Sequence, residues 1–327
     1  MTSNQFSIRL HEARKMMGLS MEKLAELTGG IITKQSISRY EKGLMLPKRV
    51  AKLAMAKALN ISDSYFDGTN ISIDVPMLRT TSNGKLSEDE LQALEAKLSF
   101  WAEQYLAKEK EAGFPTQFNN PIEGTKISTL EDAIHAADLL HEKWHCGDGP
   151  IASILRLLER KGIMILAATL PDYVFGMSTW ADKKHPLMIL DFNPEKSSVE
   201  KLRFTAVHEL AHLLLLFPED SPLRLEKRCD LFASFFLLPK LALIEELGSK
   251  KREKITLEEM IDIKELYGAS LAASIIAARD YGIITTEYKR AWYAEHIEPN
   301  PREIGSGHYA FPETLGKEKI VNSIIDS

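Results

Sequence analysis

The segment FTAVHELAHLL, at residues 204–214, contains the pattern His-Glu-x-x-His inside an apolar run. Residues four apart lie on the same face of an α-helix, so His208 and His212 can direct two imidazole nitrogens to one metal ion. Glu209 lies beside them and can hold a metal-bound water as a general base. The pattern therefore predicts a helix that carries a zinc-dependent hydrolytic site.

A second copy of this five-residue pattern, HEKWH, occupies residues 141–145. It lies at the end of a polar helical pattern and leads directly into the turn sequence CGDGP at 146–150. We expect His141 and His145 to be solvated residues of a last helical turn, where their charge suits the helix dipole. The copy at 208–212 is therefore the predicted metal site.

A catalytic zinc ion needs a third protein ligand and one open coordination position. The predicted third ligand is Glu226, which lies in a helical pattern that ends before Pro239. Asp230 follows one turn later on the same face, where it can accept the free ring N–H of a ligating histidine. Cys229 is off the face of Glu226, and we expect it to belong to the core.

Three alternatives to this ligand set stay open. Glu219 and Asp220, which follow the histidine helix, could supply the third ligand instead of Glu226. The acidic residues of the downstream helix could also form surface ion pairs with Lys227 and Arg228. Manganese or iron could occupy the same two histidines and carboxylate.

The N-terminal sixty residues have the pattern of several short helices. The segment TKQSISRYEKG, at residues 33–43, predicts a helix capped by Thr33, with Ile37 and Tyr40 turned inward. Gln can pair with adenine, and Arg with guanine, through two hydrogen bonds in the major groove. The predicted DNA-contacting residues of this helix are Thr33, Lys34, Gln35, Ser36, Ser38 and Arg39.

The charge distribution supports a nucleic-acid partner for this region. The whole chain has a net charge of -5, but residues 1–66 contain 11 Lys and Arg against 5 Asp and Glu. The N-terminal region is therefore basic and the remainder acidic. Phosphates attract the basic part and repel the rest, so we expect a double-stranded DNA operator as a partner.

Two parts of the chain resemble known families. Residues 7–62 resemble the helix-turn-helix domain of the XRE or lambda-repressor-like family, although the turn at 29–32 is longer than usual. Residues 129–239 resemble the ImmA/IrrE-type metallopeptidase domain. The motifs that carry the second resemblance are Gly149-Pro150-Ile151, Lys161-Gly162-Ile163, Gly176-Met177-Ser178, Arg203-Phe204-Thr205, His208-Glu209-x-x-His212, Glu226-x-x-x-Asp230-x-Phe232-Ala233 and Leu237-Leu238-Pro239.

The metallopeptidase resemblance assigns roles to matching residues. It implies that His208, His212 and Glu226 bind zinc and that Glu209 is the catalytic base. The chain departs from the family at two positions. Cys229 replaces the usual alanine, and Asp230 replaces a frequent asparagine. Neither departure removes an implied ligand.

Length and composition favour more than one domain, because 327 residues with 44% hydrophobic side chains can form two cores. We expect a mainly α, α+β protein with a lambda-repressor-like bundle, a connector helix and a zincin-like domain with a small sheet. The predicted parts are a helix-turn-helix domain at 1–66, a linker with an amphipathic helix at 67–126, a metallopeptidase domain at 127–247, and accessory helices with a tail at 248–327.

Other features of the sequence bear on the cellular location of the protein. No apolar stretch has membrane-spanning length, no signal pattern begins the chain, and two distant cysteines give no disulfide framework. We therefore expect a cytoplasmic protein without a membrane partner. Apolar residues at near-helical spacing from Leu91 to Leu106 predict a packing face or a homodimer face.

Together these patterns predict a DNA-binding transcriptional regulator with a zinc-dependent endopeptidase domain and one Zn²⁺ per chain. The family resemblance implies cleavage of a repressor-like or antitoxin-like protein, or of the chain itself, to control transcription. Residues 177–180 and 187–190 are expected to form a hairpin around the turn at 182–186. An extended substrate is expected to add to an edge strand at residues 176–180. The alternatives are a non-catalytic metal-binding repressor or antitoxin of a toxin-antitoxin or mobile-element system, and a purely structural interaction protein. Retention of Glu209 argues against a non-catalytic role.

Overall fold

In the part of the chain that it describes, a computed structural model shows mainly helices and one small sheet, which matches the expected fold class. Its described residues form two compact units, one within Met1–Pro115 and Thr179–His185, the other within Thr116–Ser178 and Pro186–Ile320. Among these residues, no helix is long and apolar enough to cross a membrane. The described residues are 3–68, 71–73, 88–113, 117–147, 149–170, 172–218, 222–248 and 251–317.

The first unit contains a bundle of short helices whose starts are capped by hydroxyl side chains. Ser20 Oγ accepts a hydrogen bond from the Lys23 amide, and Thr33 Oγ1 accepts one from the Ser36 amide. Each bond satisfies a backbone N–H that has no partner within its own helix. The elements are α1 (Ser3–Met16), α2 (Met21–Leu27), α3 (Lys34–Glu41), α4 (Arg49–Ala58), a 3₁₀ helix (Asp63–Asp67) and α5 (Glu88–Glu111).

Helix α5 packs against α1 in the same unit. Arg9 of α1 is buried, forms a 2.6 Å ion pair with Glu103 of α5, and lies 3.9 Å from the ring centroid of Tyr65. Leu91 and Leu98 of the predicted apolar stripe are also buried. The sequence predicted either a packing face or a homodimer face for this stripe. The described residues show packing within the chain.

The second unit contains most of the remaining described helices. A core of buried apolar side chains joins its C-terminal helices, including Leu238, Met260, Ile275 and Trp292. Burial of these surfaces provides the main driving force for the association of such short helices. The helices are α6 (Leu130–Trp144), α7 (Ile154–Arg160), α8 (Val199–Leu214), α9 (Pro222–Leu237), α10 (Lys240–Leu247), α11 (Leu257–Tyr267), α12 (Leu271–Asp280) and α13 (Thr286–His296).

Three strands form the sheet in the order β1-β3-β2, so that β2 lies at an edge. β1 pairs in parallel with β3, with Met164 opposite Leu187. The expected hairpin forms between β2 and β3, where Asp182 and Lys183 both have positive φ and the Lys184 amide donates to Ala181 O. These are the features of a type I′ turn. The strands are β1 (Met164–Ala167), β2 (Gly176–Ala181) and β3 (His185–Leu190).

The C-terminal region contributes two buried carboxylates that hold helix starts. Glu303 accepts hydrogen bonds of 3.0 Å from the Leu271 and Ala272 amides at the start of α12. Glu313 accepts one of 2.9 Å from the Ile154 amide at the start of α7. A carboxylate at a helix start satisfies orphan N–H groups and the positive end of the dipole. This segment is therefore part of the second unit's framework.

In the second His-Glu-x-x-His pattern, the prediction that His141 is solvated was wrong. His141 is only 8% exposed, and its ring nitrogens lie 2.7 Å from Phe236 O and 3.1 Å from Gly147 O. It is buried because α6 packs closely against α9. His145 is exposed, as expected, but it is the left-handed cap after the helix ends. The two histidines of this pattern therefore do not share a helical face.

Candidate metal centre and DNA-binding surface

Helix α8 places the two histidines of the 208–212 pattern side by side. The Nε2 atoms of His208 and His212 are 3.2 Å apart, and the two side chains are largely buried. The apolar residues of α8 face the core, which fixes the helix and leaves this pair on its accessible side. The sequence prediction that both rings point to one place therefore agrees with the geometry.

Glu226 of α9 completes a group of three potential ligands. Its Oε2 atom lies 3.0 Å from His208 Nε2, and its Oε1 atom lies 3.7 Å from His212 Nε2. Two ligand atoms bound to one tetrahedral zinc at about 2.1 Å lie about 3.4 Å from each other. The three side chains therefore fit a His₂Glu zinc site. The alternative ligands Glu219 and Asp220 lie outside the described residues.

Asp230 fixes the orientation of the first histidine. Its Oδ1 atom lies 2.9 Å from His208 Nδ1, on the opposite side of the ring from Glu226. An acceptor at Nδ1 places the ring proton there and leaves Nε2 available for a metal ion. Asp230 thus occupies the supporting position expected from its spacing to Glu226.

The charges of the group are strongly coupled. Burial disfavours a charged imidazole, but hydrogen bonds to Asp230 and Glu226 outweigh it and raise the pKa of His208 to about 9. Hydrogen bonds from His208 and His212 lower the pKa of Glu226 to about 2. Without a metal ion, the carboxylates therefore hold a protonated His208. A metal ion would have to displace that proton.

Cys229 is a second candidate for the third ligand. It is buried, as expected, and its Sγ atom lies 3.8 Å from His212 Nδ1. This is the ring nitrogen that does not face His208 and Glu226. Burial also raises the pKa of the thiol, which disfavours the thiolate form that binds metal ions. Both observations favour Glu226, although the thiol is close enough to both histidines to share an ion with them.

Glu209 lies beside the three ligands and is oriented by the sheet. It is buried, and its Oε2 atom accepts a 2.7 Å hydrogen bond from Ser178 Oγ in β2. A Cβ atom on Gly176 would lie 2.6 Å from Thr205 Cγ2 of α8 and 3.4 Å from Glu209 Cγ. Glycine therefore allows β2 to approach the helix closely enough for this bond.

Ser178 is a site residue that sequence reasoning did not identify. The sequence indicates this residue only through the Gly176-Met177-Ser178 motif of the predicted hairpin, which gives no role to the hydroxyl group. The contact depends on the packing of β2 against α8, across 31 residues of sequence.

The first unit presents the predicted recognition helix α3. Ile37 and Tyr40 are buried, as predicted, while Lys34, Gln35 and Arg39 are exposed. The other predicted DNA-contacting residues are Thr33, which is exposed, and Ser36 and Ser38, which are partly buried. Lys34 forms an ion pair with Glu22 of α2 across the turn between the two helices.

An internal ion pair fixes the end of α3. Arg14 Nε of α1 donates a 2.6 Å hydrogen bond to Glu41 Oε1, and His11 Nδ1 lies 2.9 Å from Glu41 Oε2. Burial alone would raise the pKa of Glu41, but hydrogen bonds from Arg14 and His11 outweigh it and hold that pKa below its usual value. The carboxylate therefore stays charged and couples α3 to α1.

Comparison with protein families supports this assignment of the first unit. The helix-turn-helix family matches residues 10–66, which extend from within α1 through most of the 3₁₀ helix. No curated protein matches the chain. Residues 10–66 thus form a helix-turn-helix domain of the XRE type, and the chain is a DNA-binding transcriptional regulator that binds double-stranded DNA.

Proposed function

We propose that the second unit contains an ImmA/IrrE-like zinc metallopeptidase domain. It would cleave a repressor-like or antitoxin-like protein, or this chain itself, and so control transcription at the operator bound by the helix-turn-helix domain. The observation that carries the proposal is the convergence of His208, His212 and Glu226, together with Glu209, which follows His208 on the same helix and is held by Ser178. A helix that only binds a metal ion has no need of this fourth residue.

The roles of the residues follow from their contacts. His208, His212 and Glu226 would hold the zinc ion, and Asp230 would keep the His208 ring oriented. Bound zinc supplies a Lewis acid that polarises a carbonyl group and makes its water more acidic. Glu209 would take a proton from the attacking water and deliver it to the leaving amine. Ser178 would keep one carboxylate oxygen of Glu209 in a fixed position.

The proposed activity can be tested in the cells that encode the protein. The wild-type gene is compared with Glu209→Gln, and newly formed protein N-termini are identified by mass spectrometry under stress. We expect a small number of new N-termini, from a partner protein or from this chain, in wild-type cells only. Zinc content should be equal in both proteins, because the substitution keeps the three ligands.

Identical N-termini and identical regulation in both strains would contradict the peptidase and favour a non-catalytic metal-binding repressor. Manganese or iron in place of zinc would change the metal but not the residue roles.

A further inference from the structure

A cleft of about 1400 Å³ lies next to the candidate metal centre. Phe204 and Asp230, which both contact His208, belong to its lining, and Arg279 and Lys289 line it from α12 and α13. Seven basic and four acidic side chains face this cleft. Its lining therefore has an excess of positive charge, although the chain as a whole is acidic.

Three of the four acidic side chains of the cleft are engaged in fixed contacts, and the fourth, Glu195, is exposed. Glu200 Oε1 accepts a 2.8 Å hydrogen bond from the Tyr309 amide. Glu303 forms a 2.9 Å ion pair with Lys264, and Asp230 holds His208. Each of these three carboxylates therefore already has a hydrogen-bonded partner.

Lys201 is the basic residue best placed beside the metal centre. It lies on α8, one turn before Phe204 and two turns before His208, on the same side of the helix. Its Nζ atom lies 4.9 Å from the ring centroid of Phe175 and 5.4 Å from that of Phe204. In the described part of the chain, Asp230 attracts the ammonium group of Lys201 electrostatically, but no carboxylate forms an ion pair with it. The two rings thus hold an ammonium group that can still accept an anionic partner.

The distance from Lys201 to the metal centre fits a short extended peptide. Seven helical residues span about 10.5 Å, and an extended peptide advances about 3.3 Å per residue. An acidic side chain about three residues from the scissile bond would therefore reach Lys201. The edge strand β2 begins directly after Phe175, and its other end is bridged by Ile73 at Ala181. A peptide added to the first residues of β2 would therefore enter the cleft at this point.

We propose that the cleft binds an acidic segment of the protein substrate and that Lys201 selects an Asp or Glu side chain about three residues from the cleavage site. This inference rests on the proposed peptidase function, because a cleavage site requires a peptidase. The excess of basic side chains in the cleft would attract such a segment, and the rings of Phe175 and Phe204 would shield one side of the ion pair, since Lys201 itself is exposed.

The test uses the full chain with Glu209→Gln, so that bound peptides are not consumed. The probes are two fluorescent nonapeptide pools with random neutral residues and either Glu or Gln at the central position. Fluorescence anisotropy measures their dissociation constants. We expect the Glu pool to bind about tenfold more tightly, the effect of one partly desolvated charge pair, and this preference to weaken with salt.

Variants then assign the preference to Lys201. Lys201→Gln should remove it, Lys201→Arg should keep most of it, and Lys143→Gln, at an exposed position of α6, should leave it unchanged. Equal binding of the two pools by the parent protein would overturn the proposal. A preference that survives in Lys201→Gln would overturn the assignment to that residue. Zinc content is measured in the same samples, since missing zinc would contradict the peptidase while the pools still report on the cleft.

Discussion

The hydroxyl group of Ser178 donates a 2.7 Å hydrogen bond to Oε2 of Glu209, and so links the edge strand of the sheet to the helix that carries both histidines. Within the described part of the chain, the other carboxylate oxygen of Glu209 forms no hydrogen bond, so it can interact with a water molecule or substrate. Because a general base must be held in a defined position, the strand has a direct part in the proposed chemistry.

Ser178→Ala should therefore reduce kcat by about tenfold, with little change in KM, because only the position of the base is altered. Ser178→Thr keeps the hydroxyl and serves as the matched control. The rates can be measured on whichever protein is cleaved in a Glu209-dependent way. An unchanged kcat in Ser178→Ala, with zinc bound, would show that this bond does not position the base.

The buried ion pair between Arg203 and Glu313 should be essential for the stability of the second unit. Both side chains are almost completely buried, and Glu313 also holds the start of α7. Glu313→Ala leaves a buried guanidinium unpaired, which should lower the free energy of unfolding by about 3–5 kcal/mol. Urea unfolding followed by circular dichroism measures this change. Glu298→Ala, at an exposed position, should change it by less than about 0.5 kcal/mol.

The helix-turn-helix domain should lose stability in acid through Glu41. The pKa of Glu41 is lowered in the folded state, so its stabilising contribution is complete above the ordinary pKa of about 4.3 and disappears as the pH falls through the lowered value. At pH 7, Glu41→Gln should cost about 1–3 kcal/mol, because a charged partner of Arg14 is removed. The difference from wild type should shrink as the pH falls below 4.3. A difference that stays constant over this range would contradict the ion pair.

Gln35 and Arg39 should determine which DNA sequence is bound. Each contact through two hydrogen bonds to a base contributes about 1–3 kcal/mol of discrimination, so the double Ala variant should lose specific binding while retaining its fold. Selection from a random DNA pool, followed by binding assays, measures both the sequence and the affinity. Lys57→Ala, at an exposed position of α4, is the control. Unchanged specificity in the double variant would mean that α3 is not the reading helix.

The sequence predicted those features that depend on local spacing. The positions of His208 and His212 follow from helical periodicity, as do the burial of Ile37 and Tyr40 and the turn that joins β2 to β3. The contact of Glu226 with His208 was also predicted, from the spacing of acidic residues on the next helix.

Features that depend on packing between distant segments were not predictable in this way. The bond between Ser178 and Glu209 joins residues 31 apart, and that between Arg203 and Glu313 joins residues 110 apart. The same reason explains the error for His141, because its burial depends on the packing of α6 against α9. Zinc binding and peptide hydrolysis remain predictions from the arrangement of the ligands.

The most direct test of the metal centre is the metal content of the purified full-length protein. Mass spectrometry would compare wild type with Glu226→Ala, Cys229→Ser and His141→Ala after supply of zinc and removal of unbound metal. We predict about one zinc per chain in wild type, retained in Cys229→Ser and His141→Ala and lost in Glu226→Ala. A wild-type protein without bound metal, or zinc that persists without Glu226 and disappears without Cys229, would contradict the His₂Glu centre.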